Sequence, residues 1–180
     1  PERFAKQIEI LDKSNTIWII GWSMQMFNEK WNIWIRKYNQ SDSEIRKNIF
    51  RYSPFCHPAV MIRKSILDKS LWYNESWIYW EDYDLYFRIW QYGLFANIED
   101  VIIKYRILSN WMTWSKADYM EYCTQYIKIK AVFEYWYKMS LSDKIYSIMQ
   151  LLSMIIIRWK VRIKLFNFIN ETLREKNIDI

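Results

Sequence analysis

A chain of 180 residues with a net charge of +6 is long enough for one domain with its own core or for a piece of a larger one, and a start at Pro1 without methionine is expected of a piece. Two cysteines, Cys56 and Cys123, are too few for a disulfide framework, and the single histidine, His57, cannot anchor a zinc site alone, so a reducing, cytoplasmic setting fits. No signal-sequence pattern opens the chain, and the longest apolar run, 148–157, is broken by Gln150 and Ser153 and falls short of the roughly 20 residues needed to cross a bilayer.

The first part alternates short elements, as α/β chains do. Pro1 suits a helix start, and Phe4, Ile8 and Leu11 give that helix one apolar stripe, ended by 12–15. Residues 16–27 read as a strand, Asn28-Glu29-Lys30-Trp31-Asn32 as a turn and 33–38 as a second strand, which makes the pair a hairpin. Ser41 and Glu44 have capping-box spacing ahead of a short helix, 59–62 is a short strand after Pro58, and 64–70 is another short helix. A helix then runs from Asp82 to about Tyr92 with Gly93 as its C-cap, followed by 95–98 and 101–107 as two extended segments.

From Ser115 onward neither Pro nor Gly occurs, Ser115 with Asp118 and Ser140 with Asp143 repeat the capping-box spacing, and three helices are expected. The organisation is therefore α/β over 1–114 and helical over 115–180. From Lys144 to Asn170 stand Lys144, Arg158, Lys160, Arg162 and Lys164 and no acid, mixed with Tyr146, Met149, Trp159, Phe166 and Phe168. Such a stretch suits an anionic membrane surface or nucleic acid, and equally a solvated basic face over a packed core.

No GxGxxG, P-loop, HExxH, CxxC or GxSxG pattern occurs, which leaves the acids of LWYNESWIYWEDYDLYFRIWQYG, residues 71–93. Glu81 and Asp82 open a helix, where exposed amides and the dipole favour carboxylates, and capping alone accounts for that placement. Tyr79, Trp80, Tyr83 and Tyr86, however, would desolvate a carboxylate set among them and raise its proton affinity toward that of a useful base. A base in a dry aromatic site suits abstraction of a proton from a hydroxyl.

These residues carry a resemblance. PERFAKQIEIL, HPAVMIRKSIL at 57–67, YNES, EDYDLYFRI at 81–89, GLFANIED and KYRI at 104–107 resemble, in order and spacing over about residues 1–110, the second half of family 2 glycosyltransferases of the GT-A fold, a Rossmann-like α/β domain. The resemblance implies an inverting transfer in which the aspartate of the EDYDL pair, Asp82, is the general base with Glu81 beside it, and it implies substrate contacts at Asp84 and, for the diphosphate, Arg106. His57 either hydrogen-bonds a substrate or is a structural loop residue before Pro58, whereas Arg63 and Arg88 read as ion-pair residues. The family's DXD motif, which holds Mg²⁺ or Mn²⁺ on the donor diphosphate, precedes the PER helix. No metal ligand is therefore expected in this chain, and the chain is expected to lack the donor half and to be inactive alone. Leu108 stands where many relatives have a histidine.

The partners so implied are a nucleotide-sugar donor and a glycan or lipid-linked acceptor, without nucleic acid, in polysaccharide biosynthesis at the bacterial cell envelope. The setting is cytoplasmic, with the helical tail in peripheral contact with the inner membrane face. The competing reading is a non-catalytic basic and aromatic module that binds nucleic acid or an anionic membrane through 144–170.

Trp31, Trp72, Trp111 and Trp114 stand in turn-like strings. Such turns often need a positive φ, which glycine adopts freely and a bulky residue only at a cost of roughly 1–2 kcal/mol. Relatives of the family commonly have glycine at several of these places, that of Trp72 included. At the usual glycine share of about 7 % a chain of this length would hold roughly 13, close to the 2 glycines and 12 tryptophans taken together. Most of these tryptophans are therefore read as glycines, encoded by UGA and mistranslated. An aromatic core or sugar-stacking platform is the alternative, and it suits Trp77 and Trp80 better than Trp31 or Trp114.

Overall fold

A computed structural model of the chain describes residues 2–28, 33–77, 79–107, 117–157 and 161. The architecture is mixed α/β, compatible with part of a Rossmann-like glycosyltransferase domain, and its axis is the strand β1 (Ile17–Asn28). The strands β2 (Ile33–Arg36) and β3 (Met61–Ile62) both pair with β1 antiparallel, β2 along 24–27 and β3 along 19–20. The long strand β4 (Leu94–Ile107) runs parallel to β1 along its whole length, from Leu94 beside Ile17 to Ile107 beside Asn28. Flanked on both edges and covered on both faces, β1 is buried from Ile19 to Met24 and reads as an unbroken buried run rather than an alternating one.

The helices are α1 (Glu2–Lys13), α2 (Asp42–Asn48), α3 (Lys64–Lys69), α4 (Glu81–Trp90), α5 (Ala117–Phe133) and α6 (Leu141–Ile156), with a short 3-10 turn at His57–Ala59. Ser41 caps α2 in a complete capping box with Glu44, and the Ser140 hydroxyl accepts from the Asp143 amide at the start of α6. The Ser115 cap, the turn at 29–32 and any helix beyond 157 lie outside the described residues. Helix α4 sits in the main core: Tyr83, Leu85, Tyr86, Phe87 and Ile89 are buried against Ile45, Ile66 and Phe95 and against Ile127 and Ala131 of α5. Among the described residues no helix is long and apolar enough to cross a membrane.

Several local expectations change. The two extended segments at 95–98 and 101–107 are one strand, and the pairing slips between Ile98, beside Trp22, and Val101, beside Ser23. The acids between them, Glu99 and Asp100, reach Lys37 and Lys6, so a polar pair that reads as a break is accommodated as a bulge. Gly93 does not cap α4 with a left-handed turn, because that helix ends on Gln91 in right-handed geometry and no described glycine has positive φ. It is glycine for space: a Cβ there would lie 1.4 Å from the Trp18 ring. On α1 the expected stripe divides, with Leu11 buried and Phe4 and Ile8 exposed, while Gln7 turns inward and donates to the carbonyls of Ile20 and Ala59.

Trp72 has the positive φ expected of its position, 56°, directly after Leu71 at 61°. A second tryptophan, Trp136, has φ 58° just past the end of α5, where the Tyr137 amide turns back to the Ala131 carbonyl at 3.0 Å. A left-handed residue just past a helix end is usually glycine. Trp31, Trp111 and Trp114 are not among the described residues. Trp22, by contrast, is fully buried and packs with Met24 and Tyr38 as a core residue.

Candidate active site

Residues 79–80 lead into α4, whose first turn carries Glu81, Asp82 and Asp84 where the unpaired amides and the dipole favour negative charge. The Asp82 carboxylate accepts from the Tyr83 amide at 2.7 Å, so it serves the helix start in the way a cap would. Its setting goes further. Although Asp82 keeps part of its surface open, the protein around it raises its proton affinity above the ordinary aspartate range, chiefly by burial. His57 and the Tyr83 amide work against that rise, and Glu81 adds to it.

His57 is fixed from both sides. Its Nδ1 lies 2.7 Å from the Tyr86 hydroxyl and its Nε2 3.3 Å from that of Tyr73. Burial, with Asp82 adding to it, pushes the Tyr86 phenol far above its ordinary range, so Tyr86 stays protonated beside the ring. Tyr86 follows Asp82 by four residues, so the two side chains leave α4 on one face.

The negative charge of Asp82 is felt by a ring of phenols. Tyr38, after β2, is pushed up to about 12, mainly by burial. Tyr73 and Tyr105 are raised mainly by burial too, and Asp82 contributes at all three. The site thus gathers the 3-10 turn at His57, the residues before α4, the start of α4 and Tyr105 near the end of β4. This is the carboxyl end of the parallel pair β1 and β4, where open α/β sheets bind ligands. The carboxylate is therefore held in a fixed direction, partly dry and walled by phenols that remain protonated. It is suited to accept a proton from a bound hydroxyl.

Sequence reasoning placed His57, Glu81 and Asp82 at the site, and the structure brings them together. Asp84 it places elsewhere. Two residues on from Asp82, it points to another side of α4, is fully buried, and bonds Arg88 at 2.8 Å and the Tyr135 hydroxyl at 3.4 Å, with Lys130 Nζ 3.7 Å away. Arg88 in turn donates to the carbonyls of Ser70 and Trp72. The pair expected for Arg88 is thus Asp84, and together they clamp the left-handed turn at 71–72 that leads to Tyr73. Arg63 is an anchor for the end of α1, donating to the carbonyls of Leu11, Ser14 and Ile17. Arg106 is exposed on β4 with its guanidinium 5.6 Å over the Phe27 ring, and strand alternation sends it to the face opposite Tyr105.

Tyr38, Tyr73 and Tyr105 carried no sequence signal, because tertiary folding alone brings them to Asp82. The four-residue spacing of Asp82 and Tyr86 was such a signal. A concavity of about 590 Å³, lined by Arg46, Trp90, Gly93 and Tyr135–Lys138, lies at the far end of α4 and has none of these groups in it. Among the described residues no three His, Cys, Asp or Glu side chains converge to hold a metal ion.

No protein-family model matches the chain. Over 107 residues it is 31% identical to the amylovoran biosynthesis glycosyltransferase AmsE of Erwinia amylovora, a match covering 59% of this chain and 40% of the relative. Over 111 residues it is 31% identical to an uncharacterized glycosyltransferase of Methanocaldococcus jannaschii, covering 59% of this chain and 38% of that one. The chain thus spans about two fifths of the length of the curated relatives it matches, and both are glycosyltransferases.

Proposed function

We propose that this chain is the acceptor-side half of a nucleotide-sugar-dependent, inverting glycosyltransferase of family 2, with Asp82 as the general base. The observation that carries the reading is the desolvated Asp82 carboxylate, fixed at the start of α4 beside an imidazole clamped by two phenols. The acceptor oxygen attacks the anomeric carbon as the bond from that carbon to the diphosphate breaks, and the hydroxyl proton passes to Asp82. Burial raises the basicity of Asp82 toward that of a useful base, and His57 opposes part of that rise. Glu81 orients Asp82 or accepts from the acceptor. His57 holds its side of the acceptor pocket, Asp84 acts through Arg88 on the loop that carries Tyr73, and Arg106 is the candidate contact for the diphosphate.

When bound, Mg²⁺ or Mn²⁺ supplies positive charge to the departing diphosphate. We assign it to residues that precede the PER helix in the family, and no step here runs through it. The relative named for amylovoran biosynthesis supports a place in polysaccharide assembly, and we place the acceptor, a glycan or a lipid-linked sugar, at the cytoplasmic side of the envelope. The test uses the complete gene product with α-linked UDP-, GDP- and dTDP-sugars, following nucleoside diphosphate release and the anomeric configuration of the product by NMR. A β-linked product from an α-linked donor is expected. An α-linked product, or no transfer from any donor, overturns the reading.

A further inference from the structure

Helix α6 is built inside out. The residues it turns to the protein are polar at helical spacing: Asp143 accepts from Arg51 at 3.1 Å, Gln150 accepts from Lys128 at 3.0 Å, and Ser147 is half-buried between them. The residues it turns to solvent are apolar at the same spacing. Ile145, Ile148, Met149, Leu152, Ile155 and Ile156 form one stripe, 50–82% exposed. Beside it α5 exposes Ile129 and Phe133, and Tyr119, Tyr122 and Tyr126 as well. So many exposed apolar side chains on two neighbouring helices mark a contact with something apolar.

The charges say what that is. Lys138 and Lys144 are exposed at the entry to α6, and the sequence after the helix adds Arg158, Lys160, Arg162 and Lys164 with no acid before Glu171. Of the acids nearby, Asp143 is engaged with Arg51 and Glu134 with Lys130, while α5 also carries Asp118 and Glu121. Two copies meeting through this face would bring like charge onto like charge, whereas an anionic surface complements it. The exposed tyrosines of α5 have the amphipathic rings that settle at headgroup depth. At 16 residues, α6 is about 24 Å long, a length for lying in an interface rather than crossing it.

We propose that the outward face of the α5–α6 hairpin docks on an anionic phospholipid bilayer, with α6 in the plane of the interface and its apolar stripe among the acyl chains. This deepens the reading of a membrane-borne acceptor by naming the contact surface, and it rests on that reading only for its purpose. The test contains no donor, so its failure and the failure of the transfer chemistry are separate results. The complete gene product is sedimented with vesicles of equimolar phosphatidylglycerol and phosphatidylcholine, and with phosphatidylcholine alone.

Binding to the anionic vesicles is expected. A combined Ile148→Ser, Met149→Ser, Leu152→Ser and Ile155→Ser variant should bind about tenfold more weakly or worse, while its melting temperature falls by no more than the lower helix propensity of serine accounts for, because those side chains are at least half exposed. Lys144→Gln should weaken binding less, and added salt should erase that difference. Three results overturn the proposal. One is no preference for anionic vesicles, and another is a serine variant that binds as tightly as the parent. The last is a parent that is dimeric in solution, or one that the serines destabilise well beyond their helix propensity, since the face is then covered by a second copy or by the chain itself.

Discussion

Replacing Trp136 with glycine should stabilise the chain, against the usual result of deleting an indole. Trp136 holds φ at 58° in the wrap that closes α5, and its side chain is 85% exposed. A non-glycine residue in that region costs about 1–2 kcal/mol. Glycine gives back about 0.4–1 kcal/mol through the larger freedom of the unfolded chain. So little of the indole is buried that its loss subtracts little, and the net gain is about 0.5–1 kcal/mol, or about 1–4 °C in melting temperature for a chain of this size. Thermal and urea unfolding of the parent, Trp136→Gly and Trp136→Ala measure it. Alanine keeps the Cβ that clashes and should bring no gain. Trp72→Gly should gain less, because Trp72 is more buried and its indole donates to Asp68 at 3.0 Å. A Trp136→Gly variant no more stable than the parent would refute the reasoning.

The same logic extends to the gene, where TGA is expected at most of the twelve tryptophan codons and TGG throughout would contradict the mistranslation reading. Asp84→Asn should destabilise the fold by about 3–5 kcal/mol in urea unfolding, because it leaves Arg88 and Lys130 beside a neutral group in the core; a purely substrate-binding Asp84 would spare stability. Lys128, pushed down to about 8 by burial with Asp143 opposing, holds its proton less tightly folded than unfolded. Stability should therefore rise as pH increases from about 8 toward the ordinary lysine range, and Lys128→Met should flatten that rise and stabilise the protein at neutral pH. A parent whose unfolding midpoint is flat over that range would contradict it.

The elements legible in the sequence are those fixed by local chemistry. Ser41 with Glu44 and Ser140 with Asp143 mark helix starts that depend only on neighbours in the chain, and the hydrophobic run of β1 needs no partner to be recognised. Failures came where a distant partner decides. Glu99 and Asp100 interrupt an apolar run, and only Lys37 and Lys6 reveal a bulge in place of a break. Gly93 looks like a cap until Trp18 is seen against it. The stripes of α1 and α6 have the right period, but periodicity does not say which face meets the core, and on α6 it is the polar one. In the site, Glu81, Asp82 and the four-residue step to Tyr86 are local and were readable. The approach of Tyr38, Tyr73 and Tyr105, and the diversion of Asp84 to Arg88, depend on the assembled sheet and loops.

The measurement that bears most directly on the central reading is transfer by the complete gene product carrying Asp82→Asn. Asparagine keeps the shape of the side chain and its fitness at a helix start and removes its basicity. With Asp82 as the base, transfer should fall by roughly 100- to 10,000-fold while donor affinity and the unfolding midpoint stay nearly unchanged, and Glu81→Gln should be milder. An Asp82→Asn enzyme that keeps more than about a tenth of the parent's transfer would show that Asp82 only caps the helix.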